Sequence, residues 1–123
     1  MAKSRFYYFR GGNYLKLLIP VYLFLFCTKT EKVTEVIDGD TFKTQKGEAV
    51  RLLGINAPEM TDAGGDIAKE YLTLLILGKD VRLESDITEK DDYDRLLRYV
   101  YFNNKFVNGE LVRMGYAETR CYP

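Results

Sequence analysis

Beyond Glu31 the chain alternates apolar and polar residues in runs of only five to seven, each cut short by a turn residue. Runs of that length and period fit half-buried strands and are too short for ordinary helices. Residues 32–38 (KVTEVID) alternate and are broken by Gly39, and residues 40–44 (DTFKT) end before the turn signal Lys46-Gly47. Residues 49–55 (AVRLLGI) predict a third strand, stopped by Ala57-Pro58, because the residue before a proline is steered away from helix. Residues 81–85 (VRLES) predict a fourth. Residues 97–102 and 105–107 predict a hairpin across Asn103-Asn104, since asparagine tolerates a positive φ.

Two segments depart from this texture. Residues 66–77 (DIAKEYLTLLIL) carry apolar side chains at 67, 68, 71, 72, 74, 75 and 77, which predicts an amphipathic helix closed by Gly78. Asn108 is a candidate N-cap for a short second helix ended by Gly115. Residues 61–65 and 89–94 read as loops, and neither a repeat nor a linker divides the chain. Three strands, a helix, two strands and a helix predict a mainly β fold with α. The leading architecture is a five-stranded OB-fold Greek-key barrel with two packed helices, formed by residues 31–123 as one domain. At 123 residues such a domain has little burial to spare.

The first thirty residues are different. They hold Lys3, Arg5, Arg10, Lys16 and Lys29, no acid, and an unbroken apolar run at 17–27 (LLIPVYLFLFC). Basic residues before a short apolar stretch are the layout of an export signal. Eleven residues are too few for a simple membrane-spanning helix, which needs about 20. Residues 1–30 are therefore expected to direct secretion or membrane association; a buried strand in a cytoplasmic protein is the alternative.

Composition narrows the chemistry. Histidine is absent, which excludes Ser-His-Asp and Cys-His nucleophiles, HExxH zinc sites and a histidine base. Two cysteines, Cys27 and Cys121, cannot build a disulfide scaffold or a four-cysteine zinc site. Without the first thirty residues the chain has 13 basic and 18 acidic residues, a net of −5. A general polyanion binder is excluded; nucleic acid would have to be met by a few focused arginines. The surplus of carboxylates suits a hard divalent cation.

Three clusters carry that chemistry. Asp38-Gly39-Asp40-Thr41 brings two carboxylates together at a strand break. Arg51 lies in an otherwise apolar strand, followed by Asn56-Ala57-Pro58-Glu59. Asp91-Asp92-Tyr93-Asp94-Arg95 forms a charged loop. Each has a plainer reading: an ordinary turn, an arginine placed on the wet face by alternation, a solvated loop. Together they supply oxygen ligands, a carboxylate base and arginines that match phosphate, which is the equipment for hydrolysing a phosphodiester without histidine.

The stretches VTEVIDGDTFKT, VRLLGINAPE, GDIAKEYL, GKDVRLE, DDYDRLLRYVY and VNGELVRMGYA resemble the staphylococcal nuclease (thermonuclease) family in order and spacing, from about Glu31 to Pro123. The resemblance implies a Ca²⁺-dependent nuclease that cleaves DNA and RNA at the 5′ P–O bond and leaves 3′-phosphates. It places the catalytic arginines at Arg51 and Arg95 and the catalytic glutamate at Glu59. It places the metal ligands at Asp40, Asn56 and the Ala57 carbonyl, with Asp38 as an outer acid, and sets Tyr93 against a substrate phosphate. The expected substrate is single-stranded DNA or RNA, held by a monomer.

Three departures from the family pattern qualify this. Asn56 stands where the family has a second calcium aspartate, so weaker metal binding is expected. Asp92 and Asp94 place acids beside Arg95, which would slow phosphate capture. The family continues into a third helix beyond the position of Pro123, so a chain without it is expected to be marginally stable. A nuclease-like OB module that binds nucleic acid or protein without cutting is the competing reading.

Overall fold

The computed structural model describes residues 29–121. The apolar run at 17–27, with Cys27, and residues 122–123 lie outside the described residues.

Strand β1 (Thr30–Asp38) turns through Gly39-Asp40 into β2 (Thr41–Thr44), which pairs antiparallel with β3 (Ala49–Leu52). The first residues of β1 also pair with β5 (Asp80–Glu84), and β5 pairs with β6 (Leu96–Phe102). Parallel pairing of β3 with β6, at Val50–Leu96, Arg51–Leu97 and Leu52–Arg98, closes the five strands into a barrel. Closure satisfies backbone groups that an open sheet would leave at its edges. Two register shifts between β1 and β2 bend the long first strand, as bulges do, so that it can pair on both sides. Strand β7 (Lys105–Phe106) follows β6 through Asn103-Asn104, both at positive φ (48° and 62°), as the sequence predicts.

Helix α1 (Gly65–Ile76) sets Ala68, Leu72 and Ile76, four residues apart, fully out of solvent. They pack on Val33, Phe42, Val50, Leu52, Val81 and Val100 from the strands. Gly78 ends the helix at φ 74° and donates its N–H to the Val33 carbonyl at 2.9 Å, so the helix end is fastened to β1. Helix α2 (Val107–Arg113) adds Val107 and Leu111 to the same core. The sheet order and the two helices bear out the expected OB-type barrel.

Two details differ from the sequence expectation. The predicted third strand, 49–55, is interrupted. Leu53-Gly54 make a turn with Gly54 at φ 75°, and β4 (Ile55–Asn56) leaves to pair with β8 (Glu118–Thr119). Alternation alone could not anticipate it, because the partner strand lies more than sixty residues away.

Asn108 does not cap α2; Phe106 occupies that position. Asn108 is instead the second residue of the helix, 1% exposed, and its side chain ties three segments together. Its Oδ1 accepts from the Val100 N–H at 2.9 Å, and its Nδ2 donates to the Leu53 carbonyl at 2.8 Å and the Arg98 carbonyl at 3.3 Å. Asn108→Ala would leave the Val100 N–H and the Leu53 carbonyl buried without partners. It should cost about 3 kcal/mol, read as a lowered urea midpoint at unchanged slope.

Candidate active site

The turn between β1 and β2 is held close against its surroundings. A Cβ on Gly39 would lie 2.6 Å from the Ala68 Cβ and 2.7 Å from the Ala57 Cβ, so only glycine lets the turn nest between α1 and the 57–59 loop. Asp38 Oδ1 accepts from the Asp40 N–H at 3.0 Å and so stiffens the turn. Asp40, 6% exposed, points inward. Its Oδ2 accepts from the Ala57 N–H at 2.8 Å, and its Oδ1 accepts from the Thr41 hydroxyl at 3.1 Å.

Arg51 sits directly across the ladder from Thr41. Strand alternation predicts a wet side chain, but Arg51 is buried, 5% exposed. The chain downstream explains this: after Leu52 it folds back over the guanidinium. Nη1 donates to the carbonyls of Leu52 (2.7 Å) and Ile55 (3.0 Å), and Nη2 donates to Asn56 Oδ1 (3.2 Å). Nη2 also pairs with Asp40 Oδ2 at 3.2 Å. Burial pushes the Asp40 carboxyl up to about 6, against the opposing pull of Arg51 and of the Ala57 N–H.

Arg95 comes to the same place from the other side of the barrel. It ends the 89–95 loop just before β6. Its Nη1 donates to the Thr41 hydroxyl at 3.4 Å, which links Arg95, Thr41, Asp40 and Arg51 in one chain of polar contacts. Asp91 orients it. One Asp91 oxygen accepts from the N–H groups of Tyr93 (2.9 Å) and Arg95 (3.0 Å), and the other accepts from Arg95 Nε at 2.7 Å. Burial raises the Asp91 pKa, yet these bonds outweigh it and hold the carboxyl below its ordinary range. With Nε occupied by Asp91, Nη1 is the nitrogen that reaches Thr41. Tyr93 is 81% exposed, with Arg95 Cζ 5.3 Å from its ring centre. Asp94, strained at φ 64°, pairs with Lys90 at 3.0 Å, which partly offsets its charge beside Arg95.

Glu59 is exposed on the loop after β4, and its side chain makes no hydrogen bond or ion pair among the described residues. Its backbone is fixed. The Glu59 carbonyl accepts from the Asp62 N–H at 2.9 Å and lies against Gly65, where a Cβ would collide with it. Gly65→Ala should therefore destabilise the fold by about 1–3 kcal/mol and move the Glu59 loop. Chemical denaturation reads the first effect, and loss of cutting by the protein that remains folded reads the second.

Asp40, Asn56 and the Ala57 carbonyl are all oxygen donors, as a hard divalent cation requires. Asp40 is the only carboxylate of the three, and Arg51 already faces it. Among the described residues no three of His, Cys, Asp and Glu gather as a metal cage. The donors fit such a cation in kind but are short of negative charge.

Of the residues singled out in the sequence, Asp40, Arg51, Asn56 and Ala57 are joined by direct contacts, Arg95 reaches them through the Thr41 hydroxyl, and Tyr93 lies beside Arg95. Glu59 follows three residues after Asn56, and no hydrogen bond or ion pair among the described residues joins its side chain to them. Thr41 and Asp91, which hold Arg95, belong to the charged clusters of the sequence but carry no predicted role of their own. Their acceptor geometry exists only once the strands are paired.

Fold and site together define a class: a small closed OB-type barrel with two arginines arranged around a buried aspartate. The chain belongs to the staphylococcal nuclease family. The family described as "Staphylococcal nuclease homologue" matches residues 49–123. The chain is 34% identical over 103 residues to the thermonuclease of Staphylococcus hyicus, covering 76% of this chain and 61% of that protein. It is 36% identical over 114 residues to an uncharacterized endonuclease of Haemophilus influenzae, covering 83% and 63%. It is 37% identical over 92 residues to endonuclease YncB of Bacillus subtilis, covering 66% and 43%. The chain spans about three fifths of the length of the staphylococcal thermonucleases it matches.

Proposed function

We propose that this chain is a Ca²⁺-dependent nuclease that hydrolyses phosphodiester bonds of single-stranded DNA and RNA at the 5′ P–O bond. The observation that carries the reading is the linkage of Arg51 and Arg95 through Asp40 and Thr41. It ties two permanently charged guanidinium groups from distant parts of the chain to one carboxylate, Arg51 directly and Arg95 through the Thr41 hydroxyl.

Asp40, Asn56 and the Ala57 carbonyl would hold the cation. When bound, it would supply Lewis-acid polarisation of a phosphoryl oxygen. Glu59, free of other partners, takes a proton from the attacking water. The water oxygen bonds to phosphorus. Arg51 and Arg95 stabilise the charge that builds on the phosphoryl oxygens as the P–O5′ bond breaks. The departing 5′ oxygen takes a proton with the help of Arg95 or solvent, leaving a 5′-hydroxyl and a 3′-phosphate. Tyr93, exposed beside Arg95, contacts a neighbouring phosphate in this reading. The protein acts as a monomer in this reading. Residues 1–30 direct it to secretion or to a membrane, and residues 31–123 form the nuclease domain.

The test is cleavage of single-stranded DNA and RNA by the full chain, with Ca²⁺ and with chelator. Cutting that requires Ca²⁺ and produces 3′-phosphate ends is the expected result. Binding without cutting by the folded protein would favour the non-catalytic OB module and sink the enzyme reading.

A further inference from the structure

The cation site as described is one carboxylate facing one arginine, a net charge near zero. Hard divalent cations are held in proportion to ligand charge, so a second acid is needed from elsewhere in the fold. Asp38 spends one carboxylate oxygen on the Asp40 N–H. The pairing of β4 with β8 offers another acid: Asn56 lies directly opposite Glu118.

Residues directly opposite in an antiparallel pair project from the same face, with Cβ atoms about 4.5–5.5 Å apart. Asn56 and Glu118 also line one open cavity of about 240 Å³ together with Pro58, Tyr116 and Ala117. Glu118 is exposed, and its carboxylate makes no hydrogen bond or ion pair among the described residues. Asn56, in contrast, spends its Oδ1 on Arg51. The longer, unengaged side chain and the short, engaged one thus share a face, and the Arg51 guanidinium that Asn56 holds also pairs with Asp40.

We propose that Glu118 supplies the second carboxylate of the cation site, from across the β4–β8 ladder. This rests on the reading of Asp40, Asn56 and Ala57 as cation donors. Asn56 then serves mainly to hold Arg51 and the donor loop, while the charge resides on the facing strand. The weak cation binding expected from Asn56 alone would be largely offset.

The test is calorimetric titration of Ca²⁺ into the full chain, with circular dichroism to confirm folding. Both positions are exposed, so Glu118→Gln and Asn56→Asp should leave the fold unchanged. Glu118→Gln is expected to weaken Ca²⁺ binding by at least about tenfold. Adding Asn56→Asp to that variant should restore affinity to within about threefold of the starting protein, because it returns one carboxylate to the same face. Asp40→Asn is the control for the site itself. Binding lost in Asp40→Asn but unchanged in Glu118→Gln would overturn the role of Glu118 and leave the site standing. Binding unaffected by either, or absent from the unmodified chain, would overturn both. Failure of Asn56→Asp to rescue would show that Glu118 does not act through charge at this position.

Discussion

Arg95→Ala should reduce phosphodiester cleavage by about 10²–10³-fold while leaving the barrel folded, because one preorganised charge is removed from the place where negative charge develops. Arg95 is suited to such a clean result. Its side chain is about 29% exposed, so the space it leaves fills with water rather than becoming a void. Its removal frees Asp91, but the Asp91 carboxylate keeps its bonds from the N–H groups of Tyr93 and residue 95, so the loop retains most of its anchoring. The rate should fall mainly in kcat if Arg95 acts on the transition state, and mainly through KM if it only binds substrate. An activity within threefold of the starting protein would remove Arg95 from the mechanism.

Arg51→Met should have a second, different effect: loss of cutting together with about 3–5 kcal/mol of stability. The reason is burial. Arg51 compensates Asp40 and donates hydrogen bonds to two backbone carbonyls, those of Leu52 and Ile55, at a place almost closed to water. Breaking one side of a buried pair leaves the other charge uncompensated, which is the expensive outcome. For a small domain with about 5–15 kcal/mol in total, the loss is a large share. The double variant Arg51→Met with Asp40→Asn should recover part of it, since no unpaired charge remains. Thermal denaturation of the four proteins of this cycle measures the coupling. If the double variant is no more stable than Arg51→Met, the Arg51–Asp40 charge pair is not what stabilises this part of the fold.

The contrast between the two arginines shows what could be read in advance. Both stand in strings, VRLLGINAPE and DDYDRLLRYVY, whose resemblance to the nuclease family singles them out as candidate phosphate-facing arginines. The burial of Arg51 is not legible there. Arg51 lies in a strand where alternation assigns it to solvent, and only the return of the chain through Leu53–Asn56 covers it. Local pattern makes Asn108 a helix cap. In fact it bonds to residues 8, 10 and 55 positions away, and the last of these contacts depends on the closed barrel. By sequence Asp91 is part of a solvated loop, because the N–H groups it receives converge only when the loop has folded.

The order of strands, the turns at Gly47, Gly78 and Asn103-Asn104, the span of α1 to within one residue, and a chemistry without histidine were determined by the sequence itself. These depend on side-chain period and on residues tolerant of positive φ, which are local properties. The closure of β3 on β6, the polar chain from Arg95 to Arg51, and the placement of Glu118 opposite Asn56 were decided only by the tertiary structure. Each joins residues far apart in the chain, such as Arg95 and Thr41, 54 positions apart. A pairing of that kind depends on which strands meet and in which register, and no single segment carries that information.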